Sequence, residues 1–185
     1  FDVISFGWKD AFTNALLYRA LQVLARALQH RGVSGPAAEL VDWATRLHGA
    51  YRPAFFNPDT GWLAGWRCRE GRLHDYAFLP VNGAAVRFGL VEDDLAGEIL
   101  RRLLAEMKRV NLPDPALGLP GNLWNVPDED RADILQGYPF GYYQNGGRTH
   151  AQARHFVMAL YQAGFRVEAD RLLERLVVGM ARAEV

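Results

Sequence analysis

Apolar residues recur along this chain with the period of a helix. Phe12, Leu16, Ala20, Leu24 and Leu28 stand four apart, joined by Leu17, Leu21 and Ala25, and the run stops at Gly32. This spacing predicts one long helix with a glycine terminator. After Ser34-Gly35-Pro36, read as a cap and a first-turn proline, Ala37, Leu40, Val41, Ala44 and Leu47 form a second stripe. The pattern returns over residues 80–89, then at Leu95, Ile99, Leu103 and Met107, with Asp93 and Asp94 in the first turn, where a helix dipole favours acids. It appears a third time over 151–163, stops at Gly164, and resumes as Val167, Leu172, Leu173, Leu176, Val177 and Met180. The expectation is three helical hairpins, six helices and no strand.

The hairpins share an internal likeness. Each has an Asn near the opening of its first helix (Asn14, Asn82, Asn145), a Gly at that helix's end (Gly32, Gly89, Gly164), and an Ala/Leu-rich second helix. Repeated helical pairs predict an all-α solenoid or toroid, a single unit over residues 1–185. The turns within hairpins are short, whereas 52–75 and 111–147 exceed the usual loop length. In an up-and-down array both long loops and the start of the first helix share one end, so the unusual chemistry is expected at one mouth.

Composition narrows the function classes. Half of the 185 residues are hydrophobic and 23% are charged, enough to bury a core. Lys plus Arg and Asp plus Glu balance at 21 each, so no net field favours nucleic acid or an anionic membrane. A lone Cys68 makes no internal disulfide, and no run approaches the roughly 18 apolar residues of a membrane span. The start, Phe1-Asp2-Val3, shows no targeting segment. The compartment stays open, with the cytoplasm as the default expectation. No phosphate-cradling glycine loop, dinucleotide fingerprint or zinc spacing occurs, so neither a cofactor nor a metal is expected.

The aromatic residues carry the next clue. The first long loop holds Tyr51, Phe55, Phe56, Trp62, Trp66 and Tyr76, and the second holds Trp124, Tyr138, Phe140, Tyr142 and Tyr143. Rings beside amides suit sugars, which offer a C–H face for stacking and hydroxyls for hydrogen bonding. The alternative is that these rings pin proline-rich loops onto helix ends. The most distinctive string is Gly141-Tyr142-Tyr143-Gln144-Asn145-Gly146-Gly147, immediately before a helix. Its glycines allow close backbone approach, and its amides would either bind a polyol or cap the helix.

That string resembles the segment opening an inner helix in the six-hairpin glycosidases, the (α/α)6-barrel hydrolases that include α-L-rhamnosidases, trehalases, mannosylglycerate hydrolases and debranching enzymes. Similar in order along almost the whole chain are Lys9-Asp10-Ala11-Phe12-Thr13-Asn14-Ala15 before Tyr18-Arg19-Ala20-Leu21, Asp59-Thr60-Gly61-Trp62-Leu63-Ala64-Gly65-Trp66, Gly71-Arg72-Leu73-His74-Asp75-Tyr76 before Asn82-Gly83, and Gly118-Leu119-Pro120-Gly121-Asn122-Leu123. The resemblance implies an (α/α)6 toroid of which three hairpins are half, and an inverting, two-carboxylate O-glycoside hydrolase. Many relatives follow Asn-Gly-Gly with an aromatic and a proline. Here Arg148-Thr149-His150 stands instead, which implies a different pocket. In such enzymes the catalytic pair is usually split between regions that would lie outside this stretch.

Inverting hydrolysis needs carboxyl groups about 6.5–9.5 Å apart. Asp10, Asp75, Asp128, Glu129, Asp130 and Asp133 are the candidates, and Asp10 and Asp75 are the preferred catalytic pair; Asp128 to Asp130 read as a solvated loop. The competing roles are a first-turn acid for Asp10 and a cap or loop salt bridge for Asp75. Trp8, Asn14, Trp66, Tyr76, Asn82, Tyr143, Gln144, Asn145 and His150 are expected to bind substrate, with carbohydrate as the partner. Two other readings stand beside this one. A sugar epimerase would use His74, His150 and His155. A noncatalytic helical-repeat module would dock a partner, and the apolar flanks of a half-ring would self-associate or pack on further barrel segments.

Overall fold

A computed structural model describes residues 4–132 and 136–182, so the candidate Asp133 lies outside the described residues. Six helices form three hairpins: α1 (Ala11–His30) with α2 (Ser34–Phe55), α3 (Leu79–Phe88) with α4 (Asp93–Arg109), and α5 (His150–Gln162) with α6 (Arg166–Arg182). Each hairpin turns by the same device. Gly32, Gly89 and Gly164 sit at φ between +72° and +83°. The next residue's amide then reaches back to the last helical turn: Val33 N to Leu28 O, Leu90 N to Ala85 O, and Phe165 N to Leu160 O, each 2.9 Å. A left-handed residue followed by an apolar one is how a helix satisfies its orphan carbonyls while reversing direction.

The first helices of the hairpins, α1, α3 and α5, lie side by side, with α3 in the middle. α3 and α5 run parallel: Gly83 faces His155 and Phe156, while Val86 O accepts from Gln162 Nε2. The crossing is close because position 83 has no side chain; a Cβ there would stand 2.5 Å from Phe156 N. Every residue of α3 from Leu79 to Val86 is buried, so this short helix forms the centre of the core with Phe78, Ile99, Leu100, Leu103, Phe156 and Leu160. The hairpins form a partial helical-repeat arrangement, and among the described residues they do not close into a ring. None of the described helices is long and apolar enough to cross a membrane.

Two expectations need correction. The second helix extends to Phe55, taking Tyr51 to Phe55 out of the first long loop, and its cap is Val33 rather than Ser34. Pro53, in the last turn, has no N–H for the carbonyl of Gly49, and the helix ends two residues later at Phe55. The expectation of no strand also fails. Among the described residues there are seven two-residue strands: β1 (Lys9–Asp10), β2 (Phe56–Asn57), β3 (Trp62–Leu63), β4 (Trp66–Arg67), β5 (Leu73–His74), β6 (Leu119–Pro120) and β7 (Arg148–Thr149). Strands this short leave no period in a sequence. They join as β1-β4-β5, β2-β3 and β6-β7, all antiparallel.

Candidate functional site

The short strands bring the beginnings of α1, α3 and α5 under one loop layer. β1 runs directly into α1, and β7 into α5. Before α3, Phe78 bridges to Asn122 and Leu79 N donates to Gly121 O at 3.1 Å. The chain before α1 joins the same layer, since Ser5 N donates to Asp130 O at 2.9 Å and Ile4 bridges to Arg131. Both long loops thus meet over one end of the helical row, as alternation of antiparallel helices requires.

The proposed carboxylates belong to this layer. Asp10 pairs with Trp66, and Trp66 with His74, on one rung of the three-stranded sheet. Two strand spacings separate Asp10 from His74 by about 10 Å, and Asp75 is the next residue. Asp10 caps α1: Oδ1 accepts from Thr13 N at 3.0 Å and Oδ2 from Thr13 Oγ1 at 2.7 Å. Asn14 folds back onto the Asp10 carbonyl at 2.6 Å. Asp75 accepts from four donors between 2.8 and 3.0 Å: Asn57 Nδ2, Thr60 Oγ1, Trp62 Nε1 and Ala77 N. It orders the turn at 57–61 and the approach to α3 rather than capping that helix.

The aromatic residues separate into two populations. Tyr51, Phe55, Trp62 and Trp66 are buried, Trp66 at 1% exposure, and Trp124 is half-buried beside Trp62, so these rings fasten the loops to the helices. Trp8 is 55% exposed, and Tyr138, Phe140, Tyr142 and Tyr143 are exposed together. Tyr138 and Tyr142 stack at 4.5 Å with their planes 13° apart, and Phe140 lies against Gly146. Arg131 ties this group to the layer by donating from Nη1 to Tyr138 O at 2.9 Å.

Within the Gln144-Asn145-Gly146-Gly147 string, Asn145 is buried. Its Oδ1 accepts from Asn122 Nδ2 and Val126 N, while its Nδ2 donates to Asn125 Oδ1 and Val126 O, all between 2.9 and 3.2 Å. α5 is capped instead by Thr149, whose hydroxyl accepts from Gln152 N. Asn82 is equally committed, bonded to both backbone groups of Leu63 and to Phe78 O. Tyr143 and Gln144 stand at the surface side of the string, and His150 opens α5 with its Nε2 buried and without a hydrogen-bond partner.

A third group was not legible in the sequence. Asp130 is buried, a correction to its reading as part of a solvated run; Asp128 and Glu129 remain exposed. His74 Nδ1 and Tyr76 Oη both approach Asp130 Oδ2 at 2.5 Å. Burial and this acid raise the Tyr76 phenol well above its ordinary range. Trp66 stacks on the His74 ring at 4.5 Å. A proton must lie between Nδ1 and the carboxylate, and when it resides on Nδ1 of a neutral ring, Nε2 is a lone pair. That Nε2 is buried without a hydrogen-bond partner. Separation by 56 positions hides the pairing from any local motif. Among the described residues no group of three or more His, Cys, Asp or Glu could hold a metal ion. Compared with known proteins, the chain matches no family model and no curated sequence.

Proposed function

We propose that this chain is part of the catalytic domain of a glycoside hydrolase built on helical hairpins, an inverting enzyme that cleaves an O-glycosidic bond between two carboxyl groups. The observation that carries this reading is the cluster of exposed rings, Tyr138, Phe140, Tyr142 and Tyr143, on the loop layer above the helix starts. Exposed stacked rings beside amides suit the alternating C–H faces and hydroxyls of a sugar. Trp8, Tyr143, Gln144 and His150 would contact the saccharide. Asn14, Trp66, Tyr76, Asn82 and Asn145, already engaged within the protein, would position the loops. Asp10, which caps α1, and Asp75, which holds the turn at 57–61, take the carboxyl roles.

Titrating mono- and disaccharides against intrinsic tryptophan fluorescence tests the reading. Saturable quenching that Trp8→Ala or Tyr142→Ala abolishes is expected, and in a hydrolytically active protein Asp10→Asn and Asp75→Asn should each lower kcat by at least about a hundredfold. No response to any saccharide removes the proposal. Unchanged kinetics in both Asn variants removes the two carboxylates from it.

The Asp130-His74 pair supports a second reading, sugar epimerisation, in which a histidine oriented by a carboxylate moves a proton at carbon; it requires the loop layer to open, since His74 Nε2 is buried. Solvent deuterium incorporated at a sugar carbon without glycosidic cleavage, and lost in His74→Gln, would select it.

A further inference from the structure

Charge is divided unevenly between the two kinds of helix. α2, α4 and α6 mix acids with bases, whereas α1, α3 and α5 contain no Asp or Glu and carry Arg19, Arg26, Arg87 and Arg154 besides three histidines. In a chain whose formal charges cancel, the middle row of helices is therefore purely cationic. The hydrogen bond from Arg87 to His155 brings the arginine of α3 beside the Arg154-His155 step of α5. Arg87, at the far end of α3 from the loop layer, lies within electrostatic reach of Arg154 on α5 and Arg19 on α1. Its Nη1 stands 3.3 Å from His155 Nδ1. The edges and faces of Phe12 and Phe88 hold the His155 ring in place at 5.8 and 5.6 Å.

A guanidinium has no acceptor, so Arg87 donates to a lone pair on Nδ1 and the His155 ring is neutral with its proton on Nε2. Burial first, then Arg87 and Arg154, push that imidazole down to about 4. Some arginines elsewhere pair with acids, as Arg109 does with Glu106 and Arg175 with Asp114. Among the described residues no ion pair reaches Arg19, Arg87 or Arg154. Three guanidiniums gathered without a counter-charge repel one another, and the arrangement is relieved by an anion accepting from several of them. Arg154 is exposed and Arg19 and Arg87 are half-buried, so the group can be reached from solvent.

We propose that the junction of α1, α3 and α5 binds a small oxyanion, a phosphate, sulfate or carboxylate group, through Arg87 and Arg154 with Arg19 in support. The site uses none of the exposed rings and stands independently of the glycosidase reading. An anion there offsets the charges facing His155, so binding raises the imidazole toward its ordinary value and takes up a proton in mildly acidic solution.

Calorimetric titration of the protein with inorganic phosphate, sulfate and malonate at matched ionic strength, together with NMR titration of His155, tests this. Expected are saturable binding of at least one anion, an upward shift of the His155 midpoint in its presence, and at least about tenfold weaker binding in Arg87→Gln and in Arg154→Gln. Arg26→Gln, on α1 but outside the cluster, should bind as the parent does. Exposed Arg154 keeps the test meaningful should Arg87→Gln fail to fold. Absence of saturable binding by all three anions, or equal weakening by Arg26→Gln and Arg154→Gln, overturns the proposal.

Discussion

Asn145 shows how a residue suited to a ligand can be consumed by the fold. Its amide makes four hydrogen bonds in a buried position, all to the segment at 122–126. Truncation leaves Asn122 and the Val126 backbone with fewer partners in a place water does not reach. Asn145→Ala should therefore cost about 2–4 kcal/mol, read as a lower denaturant midpoint at unchanged m-value. A loss below about 0.5 kcal/mol would mean that water replaces these bonds. His155 makes a pH-dependent prediction. Its folded-state value is depressed to about 4 against an ordinary 6.5, so below 6.5 the unfolded chain binds a proton that the folded chain refuses. Stability is then unaffected above about pH 6.5 and falls as pH drops toward 4. The ring is only half-buried, and solvent screening limits the loss to roughly 1–2 kcal/mol. His155→Gln should flatten that part of the stability profile measured by urea unfolding, and an equal slope in both proteins would remove His155 as its cause.

Among the elements, two kinds of glycine separate conformational from steric demands. At Gly89 the backbone is left-handed but a Cβ would meet nothing within 4 Å, whereas at Gly83 it would strike the backbone of α5. Gly89→Ala should cost about 1 kcal/mol and Gly83→Ala more, about 2–3 kcal/mol with a change in helix packing; thermal unfolding that ranks them in reverse would refute this account of the α3-α5 crossing. The helices were legible because their stripes extend over several turns and their hairpin turns each carry a left-handed glycine with its own signature. α2 was extended by Arg52, Pro53 and neighbouring aromatics, since tertiary burial of Tyr51 and Phe55 outweighs weak local propensity. Of the candidate site, the convergence of loops followed from helix alternation alone. Which rings face solvent did not, because Trp66 and Tyr142 carry the same local signals, and only packing against His74 and Phe78 places Trp66 inside. The Asp130-His74-Tyr76 group was invisible for a related reason: it depends on two loops meeting.

At the scale of the molecule, the placement of exposed apolar side chains identifies which surfaces are unfinished. Among the described helices, the large hydrophobic residues open to solvent are on the first and last hairpins. Leu17, Leu24, Val41 and Trp43 are exposed on α1 and α2, and Met158, Val167, Val177 and Met180 on α5 and α6; α3 and α4 expose none. That is the pattern of a helical repeat whose interior unit has neighbours on both sides and whose outer units have one each. On both flanks these side chains stand among charged ones such as Arg46 and Glu174, and water meets apolar surface of the kind that neighbouring hairpins cover in the middle of the row. Concentration-dependent self-association is the expected result, visible in multi-angle light scattering as a mass rising above that of one chain. Trp43→Glu and Val177→Glu, on opposite flanks and far from the core, should each reduce it without lowering the thermal midpoint by more than about 2–4 °C. A single-chain mass at high concentration, unchanged by either substitution, would instead mean that these side chains tolerate solvent, and the flanks would cease to be candidates for docking further hairpins.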